Sequence, residues 1–323
     1  MTATALLRAF TRVCLTALLG IMLMPHLAAA HVAAAQPAAS QPAATQTPVM
    51  RSSAEPPSAQ PAPAGASPAP SASDTRDAST IGDIAPDRPG LGDSSSIVGR
   101  GVWQIESGWS FESAHEDGAV LHELALPLAL FRFGITDRFE LRASADGLLS
   151  DTSSSLGTRR MSGGSDVEVG AKVKLIEPTR SGFELSVLPI VSLPIGSSEF
   201  TSGGYDPTLE VAWTHPLPRG FMLSGTVTAA SVSEDDHRFT QHIFSVSLDR
   251  NLPVGWNGFA EAYRASSFER DGGAVWIIDT GAVHKLGRQA QFDFSVGYGL
   301  TAAAPDWFIS AGISLRGFLA HQH

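Results

Sequence analysis

The chain has 323 residues, of which 43% are hydrophobic, 17% charged and 8% aromatic, with 31 Gly, 21 Pro and a single Cys. Its 32 acids against 22 bases exclude an ordinary nucleic-acid binder, which needs a basic face for phosphates, and one cysteine makes neither a disulfide scaffold nor a Cys-based zinc site. After residue 30 no apolar stretch reaches the roughly 20 residues that a membrane helix requires, so a helical membrane protein is excluded as well.

Residues 1–30 read as a secretory signal peptide. Arg8 and Arg12 give a positive start, Val13 to Met24 is a short apolar run, and Ala28-Ala29-Ala30 fits a small-residue cleavage site before His31. Cys14 falls inside that run, without a lipoprotein cleavage box, so the mature chain is expected to have no cysteine. Residues 31–80 are Ala, Pro, Ser, Gln and Thr with almost nothing large. Such a segment buries too little apolar surface to offset its chain entropy and reads as a disordered Ala/Pro-rich linker. Residues 81–102 form a lead-in. Its Asp87-Arg88-Pro89 reads as an ordinary turn entering the first strand; the competing reading folds it into the periplasmic mouth, where Asp87 and Arg88 pair with charges of the interior.

From Trp103 the hydrophobic period is two. Trp103, Ile105, Trp109 and Phe111 alternate with Gln104, Glu106, Ser110 and Glu112, and Phe292, Phe294, Val296 and Tyr298 with Gln291, Asp293 and Ser295. Side chains of a strand point alternately to its two faces, so each segment has one apolar and one polar face. Twelve such segments are expected, near 103–113, 119–133, 138–149, 165–176, 182–194, 205–216, 221–232, 238–249, 256–266, 274–286, 290–300 and 306–317. Those containing Pro127, Pro189 and Pro194 alternate least well, and the ninth and tenth are ambiguous in phase. Short turns, such as 134–137 and 287–289, alternate with longer Ser-, Gly- and Asp-rich connections at 150–164, 195–204 and 267–273.

The expected fold is all-β: a closed antiparallel transmembrane β-barrel of about 12 strands over 103–318, followed by a polar tail at 319–323. A soluble sandwich or secreted barrel shows the same alternation. Segment length, Trp and Phe near segment ends, and the missing cysteines favour the membrane barrel. An even strand number places both termini in the periplasm and the barrel in the cell outer membrane, among lipid and lipopolysaccharide.

Several motifs carry a family resemblance. Ile84-Ala85-Pro86-Asp87-Arg88-Pro89-Gly90, Gly101 to Trp109, Phe133 to Arg142, Asp166 to Lys174 and the ending Val296 to Ser314 together resemble the MetA-pathway of phenol degradation family, across roughly residues 84 to 318. The resemblance implies an outer-membrane barrel, inserted by the barrel-insertion machinery, with a role in uptake of phenolic or other aromatic compounds. Such barrels usually end on an aromatic residue; here Phe318 takes that place, five residues before the end.

If the apolar faces meet lipid, the polar faces line the interior. The candidate lumen-lining residues are Glu106, Glu140, Arg142, Asp146, Asp166, Glu168, Lys172, Lys174, Glu210, Asp293, Asp306 and Arg316. Two readings stay open: a lumen whose charges set selectivity, or a salt-bridged interior that rigidifies a narrow barrel. From residue 81 on, 29 acids face 18 bases, which favours cations and neutral solutes over anions. No cofactor and no metal site is expected. No Gly-x-Ser-x-Gly elbow and no His-Glu-x-x-His is present, so catalysis is not expected. The functional expectation is passive or weakly selective passage of small hydrophobic or aromatic molecules. A non-transporting barrel acting as an envelope-interaction module is the alternative, and a lipid-modifying enzyme stands behind both.

Overall fold

A computed structural model describes residues 82–319, apart from 117–118, 155–156, 179–181 and 235–236. The signal peptide and linker readings, and most of the polar tail, lie outside the described residues.

Thirteen strands follow one another: β1 (Val102–Glu116), β2 (Ala119–Gly134), β3 (Phe139–Ser154), β4 (Gly157–Gly164), β5 (Val167–Ile176), β6 (Glu184–Leu193), β7 (Asp206–Leu217), β8 (Phe221–Glu234), β9 (His237–Asn251), β10 (Trp256–Ala265), β11 (Val275–Lys285), β12 (Ala290–Gly299) and β13 (Trp307–Phe318). Each pairs antiparallel with its neighbours, and β1 pairs with β13 from Val102↔Phe318 to Ser113↔Trp307, which closes the sheet. Closure pairs the backbone around the ring, as lipid requires, and among the described residues β4 pairs on one side only, with β3. The wall has twelve positions because β4 and β5 share one. The upper part of β3, Gly147–Ser154, pairs with β4, and its lower part, Phe139–Ser144, pairs with β5. The segment 150–164, expected as a loop, is therefore largely hairpin. Its Ser, Thr and Gly hide the alternation.

Side-chain direction matches the expected phase and inverts the soluble pattern. Ile105, Phe131, Leu141, Phe292, Phe294, Val296, Ile313 and Leu315 are exposed, whereas Gln104, Glu106, Arg132, Glu140, Lys172, Asp293 and Ser314 are at most 1% exposed. Apolar outside and charged inside suits a wall with lipid around it and is unfavourable in water. The prolines explain the two poorly alternating segments. The β2–β3 ladder skips from Ala125 to Leu128 around Pro127, and the β5–β6 ladder has a gap around Pro189, because proline has no N–H to donate. The ambiguous ninth and tenth segments, β10 and β11, turn Phe259, Tyr263 and Ile277 inward with Glu261 and Asp279. Apolar side chains on the inner face blurred their phase.

Both described ends of the chain sit at one end of the barrel with the short turns, including the 3-10 turn Pro218–Gly220. The longer connections 194–205, 266–274 and 300–306 gather at the other end. Replacing Val296, outward near the middle of β12, with Arg is expected to cost about 2–4 kcal/mol if lipid surrounds it. Urea titration of folding into lipid vesicles checks this. The same change at Val254, 86% exposed in a short turn, is expected to leave the midpoint in place.

Candidate functional site

The lead-in does not approach the barrel as a turn at its mouth. It enters the barrel, and its polar groups meet the inward face of most of the wall. Asp87 lies within salt-bridge distance of three cations from adjacent strands: Arg132 of β2 at 3.3 Å, Arg142 of β3 at 2.9 Å and Lys172 of β5 at 3.0 Å. Burial pushes the Asp87 carboxyl up, but the Arg132, Lys172 and Arg142 charges outweigh it and hold the group well below the usual carboxylate range. Lys172 donates to both Asp87 oxygens and to the Ser94 carbonyl at 2.8 Å, which uses all three of its donors.

Arg132 is the hub of the buried charges. It grips Glu140 with two nitrogens, at 2.8 and 3.1 Å, and donates to Glu106 at 3.1 Å and to the lead-in carbonyls of Ala85 and Ser96. The same two glutamates accept from the lead-in backbone. Glu106 takes the N–H groups of Asp87 and Arg88, and Glu140 that of Val98. A fork of charged hydrogen bonds fixes direction as well as distance.

The segment then crosses to the far wall. Glu261 of β10 accepts from Leu91 N–H at 2.8 Å and Gly92 N–H at 3.1 Å. Ser95 donates to Thr214 of β7, and its carbonyl accepts from Ser186 of β6. Arg88 reaches Asp293 of β12 at 3.3 Å and Ser310 of β13 at 3.0 Å. It lies over Gly108 and Gly312, which face each other across β1 and β13; a Cβ at these positions would come within 2.5 and 2.4 Å of the guanidinium. These glycines leave the room that Arg88 occupies.

Toward the long-loop end, past Arg88 to Leu91, opens a cavity of about 840 Å3. The lead-in is its floor. One wall is apolar: Tyr263, Ile277 and Phe308 line it and pack with Ala265, Val275 and Ala304 in a buried cluster. Another wall carries Glu112 and Glu123.

Of the candidate residues, Glu106, Glu140, Arg142, Lys172 and Asp293 come together around the lead-in with Asp87 and Arg88. Arg316 is close to them in role, since it donates to the Gly82 carbonyl at the short-turn end. Lys174 pairs with Glu184. Glu210 accepts from Thr228 at 3.0 Å and leaves its other oxygen without a partner. Glu168 accepts from Ser144. The N–H of Asp146 bonds to Ser165 at the junction of β4 and β5. Asp166 holds the long connection by accepting from Gly196 and Ser202 N–H groups, and Asp306 pairs with His115 at the rim. Arg132, Glu261, Asp279, Ser95 and the Gly108/Gly312 pair are not among the candidates singled out from the sequence. The signal for Arg132 was present, as the one base in a segment otherwise apolar from Leu124 to Gly134. Among the described residues no group of three His, Cys, Asp or Glu is placed to hold a metal ion.

Solved structures resemble this fold to differing degrees. An outer membrane channel from Pseudomonas putida F1 superposes with a TM-score of 0.57 at 14% identity, covering 71% of this chain and 99% of that one. The β-domain of the Bordetella autotransporter BrkA gives a TM-score of 0.45 at 12% identity, covering 67% and 99%. The translocator domain of the Neisseria meningitidis autotransporter NalP gives 0.46 at 10% identity, covering 68% and 90%. No curated protein matches the sequence. The sequence profile described as "Putative MetA-pathway of phenol degradation" matches residues 86–317, from the lead-in that fills the barrel to the strand that closes it, and the chain belongs to that family.

Proposed function

We propose that the protein is an outer-membrane channel for small hydrophobic or aromatic molecules, with its long-loop end facing the exterior and its short turns the periplasm. The observation that carries this is the cavity above the lead-in. An apolar inner wall of Tyr263, Ile277 and Phe308 stands beside the charged interior around the lead-in, and it gives an apolar solute a place to leave water. The family's association with phenol degradation and the channel from Pseudomonas putida F1 support the same reading. In this reading the charges around the lead-in block free diffusion of polar solutes, and passage requires the lead-in to shift.

One observation favours a second reading. Glu140 and Lys172 are fully paired across a filled interior, which suits a non-transporting barrel that serves as an envelope-interaction module. Uptake separates the two. Intact cells that make the protein are expected to take up the fluorescent apolar probe N-phenylnaphthylamine faster than cells that lack it. Ile277→Trp, which fills the cavity, is expected to return the rate to that of the cells without it. Equal rates with and without the protein would leave the interaction module as the reading.

A further inference from the structure

We infer that the cavity selects organic cations with an apolar body, such as protonated aromatic amines, over neutral and anionic molecules of the same shape. The inference rests on the uptake reading above and names the substrate class of the same cavity.

Glu112 of β1 and Glu123 of β2 are direct cross-strand partners, and both line the cavity. Partners of this kind hold their Cβ atoms about 5 Å apart, and like charges so placed repel. Neither carboxylate has a hydrogen bond or ion pair among the described residues. The basic side chains on the lining already have partners: Arg88 bonds Asp293 and Ser310, and His115 pairs with Asp306. A positive charge delivered by a ligand therefore relieves a repulsion that the protein leaves standing.

The rest of the ligand has its place in the same ring of the wall. Glu112 pairs with Phe308, whose ring lies over Gly297, where a Cβ would come within 2.1 Å of it. Beyond Gly297 the row continues to Asp279. Asp279 is 5% exposed, and neither of its carboxylate oxygens has a partner. Ser295, 3% exposed, lines the cavity with its hydroxyl also unpartnered. An ammonium between Glu112 and Glu123 thus sits beside Phe308, with Ile277 and Tyr263 to take an aromatic or alkyl body, and its volume falls within the roughly 300–1,000 Å3 of small-molecule sites. A carboxylate on the same body meets Glu112 and Glu123, and the guanidinium on the lining, Arg88, is already paired with Asp293.

Calorimetric titration of the purified full chain in detergent tests this with three probes of nearly one shape: 2-phenylethylammonium, 2-phenylethanol and 3-phenylpropanoate. The ammonium is expected to bind about tenfold or more tighter than the alcohol, and the propanoate weakest. In the Glu112→Gln/Glu123→Gln double variant, shown to be folded by its heat-dependent gel mobility, the ammonium is expected to fall to the alcohol's level. Equal binding of ammonium and alcohol, or a preference that survives the double variant, overturns the inference while leaving the uptake reading intact. Binding of none of the three overturns it too, and cellular uptake of the apolar probe then decides separately whether the channel reading stands.

Discussion

Replacing Asp87 with Ala is expected to undock the lead-in from the barrel interior. The carboxylate is shared by Arg132, Arg142 and Lys172. Arg132 keeps Glu106 and Glu140, and Arg142 keeps Asp93 at 3.1 Å. Lys172 keeps only the Ser94 carbonyl, so it becomes a buried and unpaired charge. Removing one partner of a buried pair costs about 3–5 kcal/mol, which shifts the ratio of docked to undocked lead-in by roughly two to three and a half orders of magnitude. The barrel strands supply no cysteine of their own, so Ser95→Cys, at a position 1% exposed, reports on docking through its rate of reaction with a maleimide. Labelling is expected to be slow with Asp87 present and fast in the Asp87→Ala background, with conductance in a planar bilayer rising in parallel. Lys172→Met in that background removes the stranded charge and is expected to restore slow labelling in part. If Asp87→Ala labels as slowly as its parent, the charges do not hold the lead-in.

Acid acts on the same contact. The docked Asp87 titrates below its undocked counterpart, so its charge contributes stability that is fully present above the ordinary carboxylate pKa of about 3.9. That contribution drains as pH falls through the depressed value. Docking at this carboxylate therefore persists across the neutral and mildly acidic range, and it is the mutation that exposes its size.

The strands were legible because lipid favours an apolar outward face along most of the wall. One face must be apolar, and a one-residue slip inverts every side chain, so Phe292 to Tyr298 and Trp307 to Leu315 could be phased from sequence alone. Legibility failed where that rule does not act. Residues 150–164 are rich in Ser, Thr and Gly, so their sequence carries no alternation to read. In β10 and β11, Tyr263 and Ile277 point inward beside Glu261 and Asp279, so both faces carry apolar groups. The lead-in has no period at all. Its Asp, Ser, Gly and Pro read as a turn, and nothing local says that Asp87 meets Lys172, 85 positions away in sequence. What the sequence did carry was a surplus of ionisable groups on a face without access to bulk water. Such a face needs partners, and the lead-in supplies several of them through backbone N–H and C=O groups that no residue pattern encodes.

Arg132→Leu is expected to destabilise the barrel itself, beyond the loss of lead-in docking. Arg132 is fully buried and donates to Glu140, Glu106 and two lead-in carbonyls. Without it, Glu106, Glu140 and Asp87 share one region with only Lys172 and Arg142 nearby, and Glu140 keeps no cation at hydrogen-bond distance. At about 3–5 kcal/mol for a stranded buried charge and about 2–4 °C per kcal/mol for a domain of 150–250 residues, the unfolding temperature is expected to fall by about 10 °C. Heat-dependent gel mobility of the purified protein measures it. A merely steric role for Arg132 predicts a different pattern across variants. Adding Glu140→Leu removes the stranded carboxylate along with its lost partner, so the Arg132→Leu/Glu140→Leu pair is expected to recover much of the loss if charge is the cause. If packing is the cause, the second substitution deepens the loss instead. Asp87→Ala separates the barrel from the lead-in in the same experiment: it leaves the Arg132–Glu140 fork in place, so its unfolding temperature is expected to stay closer to that of the parent while its labelling at position 95 rises. The same ionic cluster would then be doing two separable jobs, with β1, β2 and β3 cross-linked from within by Arg132, and the passage closed by Asp87, the lead-in carboxylate that Arg132, Arg142 and Lys172 share.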